Sequence, residues 1–196
     1  HVMARRQRQM CIRDRIDSID VVIDFSSPLA AVGNAEICGR FGKNIVIGTT
    51  GFTSEKVQCI KSASKSTAIC MSSNFATGVN LCFKLAEMEA SALGDDVDIE
   101  ISEAHHNHKL DAPSGTALTL GHVVARTLDR DLDQVAVYRR KGDIGERDSK
   151  AIGFSSVRAG DIVGDHTVMF SGDGERVEIT HKAVSYTHLT LPTSHN

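Results

Sequence analysis

Hydrophobic and polar positions along this chain fall into blocks whose period changes part-way. The run Ile19-Asp20-Val21-Val22-Ile23-Asp24-Phe25 is dense in β-branched residues and predicts a buried strand, stopped by Ser26-Ser27-Pro28. Helical spacing follows over residues 28–41, then a strand over 44–48, a loop at 49–52, a helix over 53–64 and a third strand over 68–72. Strands alternating with helices at this interval make βαβ units and a parallel sheet. Residues 79–93 again read as a helix, with Leu81, Leu85, Met88 and Ala92 on one face as core packing.

Beyond that helix the period shifts to two. Val97-Asp98-Ile99-Glu100-Ile101-Ser102-Glu103 alternates apolar and polar residues. Strand patterns recur over 135–138, 152–158, 166–170 and 176–181, the last two joined by a hairpin link, Ser171-Gly172-Asp173-Gly174. One more helix follows Pro113, a residue suited to a first helical position because its missing N–H would be unpaired there. The fold class is thus α/β followed by α+β. A parallel-sheet domain is expected over residues 17–76 and a domain with a mixed, largely antiparallel sheet over 77–183, hinged near Asn74 to Gly78. Residues 1–16 are basic and aperiodic, and are expected to be a foreign or disordered leader rather than a nucleic-acid-binding arm.

Composition narrows the function classes. At 196 residues, 41% hydrophobic and 24% charged, the chain has the makings of a soluble globular protein. A net charge of −3 argues against nucleic acid as a partner. No apolar run approaches the ~20 residues needed to cross a bilayer, and the basic start lacks the apolar core of a secretory signal. The five cysteines include no C-x-x-C pair; Cys38, Cys59, Cys70 and Cys82 sit in apolar patterns, as small hydrophobes in a reduced, cytoplasmic setting.

In parallel α/β sheets ligands bind beyond the carboxyl ends of the strands. Three βα loops bring Phe25-Ser26, Gly48-Thr49-Thr50 and Ser72-Ser73-Asn74-Phe75 to that edge. Such residues serve ordinary turns everywhere, but three hydroxyl-rich loops on one edge favour a nucleotide site. The first domain then reads as a partial Rossmann-like one. It is partial because no G-x-G-x-x-G occurs anywhere in the chain, so the pyrophosphate cradle and the residue that reads the ribose 2′ position are missing.

The densest chemistry lies in Glu103-Ala104-His105-His106-Asn107-His108-Lys109-Leu110-Asp111-Ala112-Pro113-Ser114-Gly115-Thr116-Ala117, between a strand and a helix. A helix start presents unpaired N–H groups to anions. Gly115 lets a ligand approach the backbone, Ser114 and Thr116 add hydroxyls, and Lys109 adds positive charge. Imidazoles at 105, 106 and 108 suit proton transfer at neutral pH. Together they point to an acidic small substrate protonated during reaction. A metal site is the rival reading, weakened by Lys109, so no metal is expected. The Arg139–Arg147 stretch reads as a solvated surface loop, and Arg158, His166 and His181 as isolated structural or surface residues.

The segment 103–117 resembles the signature of the 4-hydroxy-tetrahydrodipicolinate (dihydrodipicolinate) reductase family, over about Asp20 to Ala183. The resemblance implies NADPH- or NADH-dependent reduction of a cyclic dicarboxylic imine in the diaminopimelate route to lysine. It implies His105 as proton donor and acceptor, with Lys109 as a second proton-transfer or substrate-orienting residue. Substrate contacts would come from His106, Lys109, Ser114, Gly115 and Thr116. Gly48-Thr49-Thr50 and Ser72 to Phe75 match nicotinamide-binding loops, with Phe25-Ser26 near the dinucleotide. A homotetramer through the second sheet is implied too. Two departures stand out: the glycine-rich turn is lacking, and Tyr186 occupies the place of a substrate-binding Arg, so residues 184–196 read as non-native. The rivals are an inactive oligomeric fragment unable to hold a dinucleotide, and a histidine-cluster metal hydrolase.

Overall fold

Three parallel strands, β1 (Val21–Asp24), β2 (Asn44–Ile47) and β3 (Ile69–Met71), form the first sheet in the order β1-β2-β3. Two crossover helices join them, α1 (Pro28–Phe41) and α2 (Ser54–Ala63). The computed structural model describes residues 16–185 and divides into two units, one up to Ser73 and one from Asn74. Local chemistry sets the helix ends. Ser27 caps α1 by accepting the Ala30 N–H, Pro28 takes its first turn, and Gly42 at φ +63° closes it, as a left-handed C-terminal residue should. Thr53 caps α2 in the same manner.

Among the described residues, helices cover one face of this sheet. Val22, Ile45 and Ile47 are buried against Ala31, Ala35, Cys38 and Ile60. β1 was expected to be buried throughout; instead Val21 and Ile23, on the other face, are 44% and 53% exposed. A strand with one covered face keeps only its alternate residues dry. Cys59 and Cys70, expected as small core hydrophobes, are exposed, while Cys38 is buried. Ile16, expected to belong to the leader, opens a 3-10 turn and is buried in this core. The rest of the expected leader and residues 186–196, Tyr186 included, lie outside the described residues.

The second unit is a five-stranded mixed sheet with helices on one face. Its strands are β4 (Asp98–His105), β5 (Ala136–Val137), β6 (Ile152–Arg158), β7 (Gly164–Ser171) and β8 (Arg176–Ala183), in the order β5-β6-β4-β7-β8. β5 and β6 run parallel to β4, whereas β7 and β8 are antiparallel. The hairpin between β7 and β8 closes through Gly172 N–H to Glu175 carbonyl, with Gly174 at φ +82°. Helices α3 (Thr77–Leu93) and α4 (Gly115–Thr127) and the short α5 (Leu132–Val135) bury Ala86, Ala90, Leu120, Val124 and Leu132 against Ile99, Ile101, Phe154, Val168 and Phe170.

One expectation about packing fails in this unit. The stripe Leu81, Leu85, Met88 and Ala92 does not face the core: Leu81 is 57% and Met88 58% exposed. The opposite face of α3, with Val79, Phe83, Ala86, Ala90 and Leu93, packs inward instead. Both faces are apolar; Ala86 and Ala90, fully buried, let the helix approach the sheet closely between Val79, Phe83 and Leu93. The Arg139–Arg147 stretch is the surface loop expected, anchored through two of its arginines. Arg140 grips the Glu100 carboxylate with two 2.8 Å bonds, and Arg147 bonds Asp98, Glu100 and the carbonyls of Ile99 and Ala151.

Candidate active site

The site grows out of the register of β4. Its buried positions alternate as Ile99, Ile101, Glu103 and His105, so one face changes from hydrocarbon to ionisable groups without a break in period. The neighbouring strands change with it. Ile101 lies beside Phe154 of β6 and Val168 of β7. One row further, Glu103 lies beside Ser156 and His166, and His166 beside His181 of β8. At the end of the strand His105 pairs with Arg158.

Glu103 organises this polar end. One of its carboxylate oxygens takes His105 Nδ1 at 2.6 Å and Arg158 Nη1 at 2.8 Å, and the other takes Arg158 Nη2 at 2.7 Å. Burial disfavours the charge. Bonds from His105, Arg158 and Ser156, with the Arg158 charge, overcome that and hold the carboxyl well below the usual carboxylate range. An ionised Glu103 accepts only, so His105 presents Nδ1–H to it and turns Nε2 away from the carboxylate. Nε2 lies beside Gly164, where an added Cβ would come within 3.0 Å of it. Arg158 also donates to the Asp111 carbonyl at 2.6 Å, tying the loop after β4 back to the sheet.

That loop turns sharply and feeds α4. Lys109 bonds both oxygens of Asp111, at 2.7 and 2.9 Å, and the His108 N–H reaches His106 Nδ1 at 3.2 Å. The helix starts two residues later than Pro113 suggests. Pro113 follows a cis peptide bond outside the helix, and Ser114 is the cap, accepting the Ala117 N–H at 3.2 Å. Ser114 Oγ lies 2.8 Å from His166 Nε2, and Thr116 Oγ1 accepts from Asn74 at 3.3 Å. The His105 and His166 rings meet edge to face, 5.0 Å between centroids. Burial, then the neighbouring basic groups His105, His181 and Lys109, push His166 down to about 3, against the pull of Glu103; it is neutral at physiological pH.

His105, Ser114, Gly115 and Thr116 are thus on one polar patch of the second unit, and Asn74, expected at the nicotinamide, joins it through Thr116. Lys109 carries its charge next to Asp111, and His106 and His108 face each other 6.3 Å apart. Among the described residues no three His, Cys, Asp or Glu side chains form a metal ligand set. Arg158 and His166, expected to be isolated, are central. In the first unit, Ser26 Oγ and Thr49 Oγ1 do not stand free: both donate to buried Asp24, at 2.8 and 2.9 Å. Gly48 is obligatory there, since a Cβ would lie 2.0 Å from the Phe25 ring.

Two family profiles match the chain: "Dihydrodipicolinate reductase, N-terminus" over residues 4–75 and "Dihydrodipicolinate reductase, C-terminus" over residues 78–190. The chain belongs to the dihydrodipicolinate reductase family. It is similar to 4-hydroxy-tetrahydrodipicolinate reductase of Saccharophagus degradans, 54% identical over 170 residues, which cover 87% of this chain and 63% of that protein. The chain therefore spans less than two thirds of that relative's length. Its fold is similar to the dihydrodipicolinate reductase of Paenisporosarcina sp. TG-14 solved with dipicolinate bound: TM-score 0.63, 28% identity, covering 88% of this chain and 66% of that one. Within this family fold, Glu103, Arg158 and His166 are what sequence spacing misses. Glu103 alone carries a sequence signal, because the alternation of β4, carried two residues further, puts it and His105 on the buried face.

Proposed function

We propose that this chain is the catalytic part of an enzyme that reduces 4-hydroxy-tetrahydrodipicolinate with NADPH or NADH, in the diaminopimelate route to lysine. The observation that carries the reading is the Glu103–His105 pair on the polar patch that also holds the start of α4. A dicarboxylate seated there meets the unpaired N–H groups of Gly115 and Thr116 and the positive end of the helix, with Lys109 as the counter-charge. Dipicolinate, the ligand of the Paenisporosarcina relative, has the acid groups this seat fits. His106 borders the same loop as a further substrate contact.

The residues fit a proton-coupled reduction. Adding a hydride to the conjugated ring leaves an electron pair that must take a proton. His105, oriented through Nδ1 by Glu103, delivers it from Nε2, while Lys109 stabilises developing negative charge. A nicotinamide cofactor, when bound, supplies the hydride. Residues 25–26, 48–50 and 72–75 would hold it; Gly48 leaves no Cβ at the strand end, and the Asp24 bonds fix the loops of Ser26 and Thr49. The second sheet's helix-free face carries a row of small hydroxyl groups, Ser102, Ser155, Thr167 and Thr180, with the charged Glu100, Asp165, Glu178 and Lys182 in the adjoining rows, and we read it as the surface of a homotetramer. The described cysteines are free thiols, which agrees with a cytoplasmic enzyme.

Steady-state kinetics of His105→Gln in the enzyme over its whole length tests this reading. General acid catalysis contributes ~10²- to 10⁴-fold, so kcat falls by that order while KM changes little. An unchanged kcat removes His105 from the mechanism.

A further inference from the structure

The hydroxyl of Ser114 has two partners in the structure, and their arithmetic fixes what it can do next. It accepts the Ala117 N–H at 3.2 Å and lies 2.8 Å from His166 Nε2. Ser114 and His166 are both buried, and His166 Nδ1 has no hydrogen-bond partner. Neutral imidazole carries one proton. On Nδ1, it would be a buried N–H with nothing to accept it, and the Ser114 hydrogen would be consumed by Nε2. On Nε2, it is donated to Ser114, and only a lone pair is left bare at Nδ1. An orphaned buried N–H is the costlier fault and the rarer one in folded proteins.

We infer that His166 is a positioning residue: it donates Nε2–H to Ser114 Oγ and so turns the serine hydroxyl into an obligate donor toward an anion at the start of α4. With Ala117 N–H and His166 Nε2–H filling both lone pairs, the hydrogen is the one capacity Ser114 retains. The groups around His166 keep it in this role. His105 stands edge to face with it on β4, Glu103 and His181 flank it in the same cross-strand row, Ser114 meets it from α4, and Lys109 lies close enough to oppose a second proton. A cationic His166 would also donate from Nε2, but with a charge that cannot be solvated. The neutral ring gives the same direction without it.

This rests on the substrate seat proposed above, and two arms separate the failures. The first needs no ligand. Nitrogen-15 NMR of histidine-labelled chain at pH 5.5 to 8 should show His166 neutral, with its proton on Nε2 throughout; a proton on Nδ1, or titration in this range, overturns the inference. The second uses dipicolinate as probe, by calorimetry. His166→Leu should weaken binding about tenfold, the scale of one hydrogen bond to a charged group. His166→Gln, which keeps an N–H donor near the Nε2 position, should stay within about threefold of the parent. In a Ser114→Ala background His166→Leu should add nothing. Equal weakening by Leu and Gln, or a full further loss in the Ser114→Ala background, contradicts the role. If the unsubstituted chain does not bind dipicolinate at all, the seat itself is wrong, and the NMR arm alone decides the tautomer.

Discussion

At the scale of single residues, the account turns on an ionised carboxylate in a buried place. Glu103 is stable there because a guanidinium fork, an imidazole N–H and a serine hydroxyl all point at it. Removing its charge by Glu103→Gln strands Arg158, whose side chain is mostly out of water, and breaking such a pair costs about 3–5 kcal/mol in denaturant unfolding. His166 makes the complementary pH prediction. Its folded value lies near 3 and its unfolded value near 6.5, so below 6.5 the unfolded chain binds more protons and stability falls as pH falls. The slope from this group is at most about 1.4 kcal/mol per pH unit. Glu103, held low, begins to lose its contribution only as pH drops below its ordinary value near 4.5. Between pH 6.5 and 4.5 the difference between the parent and His166→Gln therefore isolates His166, and a parent curve parallel to the variant's would contradict its burial as a neutral ring. His105, Ser114 and Thr116 were legible in the sequence because they crowd one segment. Arg158 and His166 were not, since each reaches the site from a strand about fifty residues further on, and only sheet register brings them there.

At the scale of elements, strand and helix identities follow from periodicity, and the failures come from which face is covered. α1 and β6 occupy the residues that the pattern marks, with Ser27 and Gly42 as readable stops for α1. α3 misleads because it is apolar on two faces, and packing chose the alanine-lined one. Leu81→Gln, Leu85→Gln and Met88→Gln should each change stability by no more than about 0.5 kcal/mol, as exposed positions do; a loss of 2 kcal/mol or more at any of them would mean the stripe is buried after all. The contact between Phe25 and Gly48 predicts the reverse behaviour. Gly48→Ala forces a methyl into the ring and should cost about 1–3 kcal/mol, recovered in part by adding Phe25→Ala. Equal losses in the single and double variants would remove Phe25 as the cause.

For the whole molecule, two units carry unequal shares of the chemistry. The second holds the imidazole, its carboxylate and the helix start proposed as the anion seat. The first has the parallel sheet and its edge loops but no G-x-G-x-x-G, and calorimetry of this chain with NADPH should return weak or no binding; affinity in the micromolar range would show that the loops at 25–26, 48–50 and 72–75 suffice. The family fold was readable from alternating strands and helices plus one fifteen-residue segment. The one-sided cover of the first sheet was not, because exposed Val21 and Ile23 look in sequence like any buried pair. Most directly testing the substrate seat is a dipicolinate titration of the labelled chain followed by NMR. Resonances of His105 and of the Gly115 and Thr116 amides should move together on one binding curve. Movement confined to other residues, or none at saturating ligand, would contradict the account.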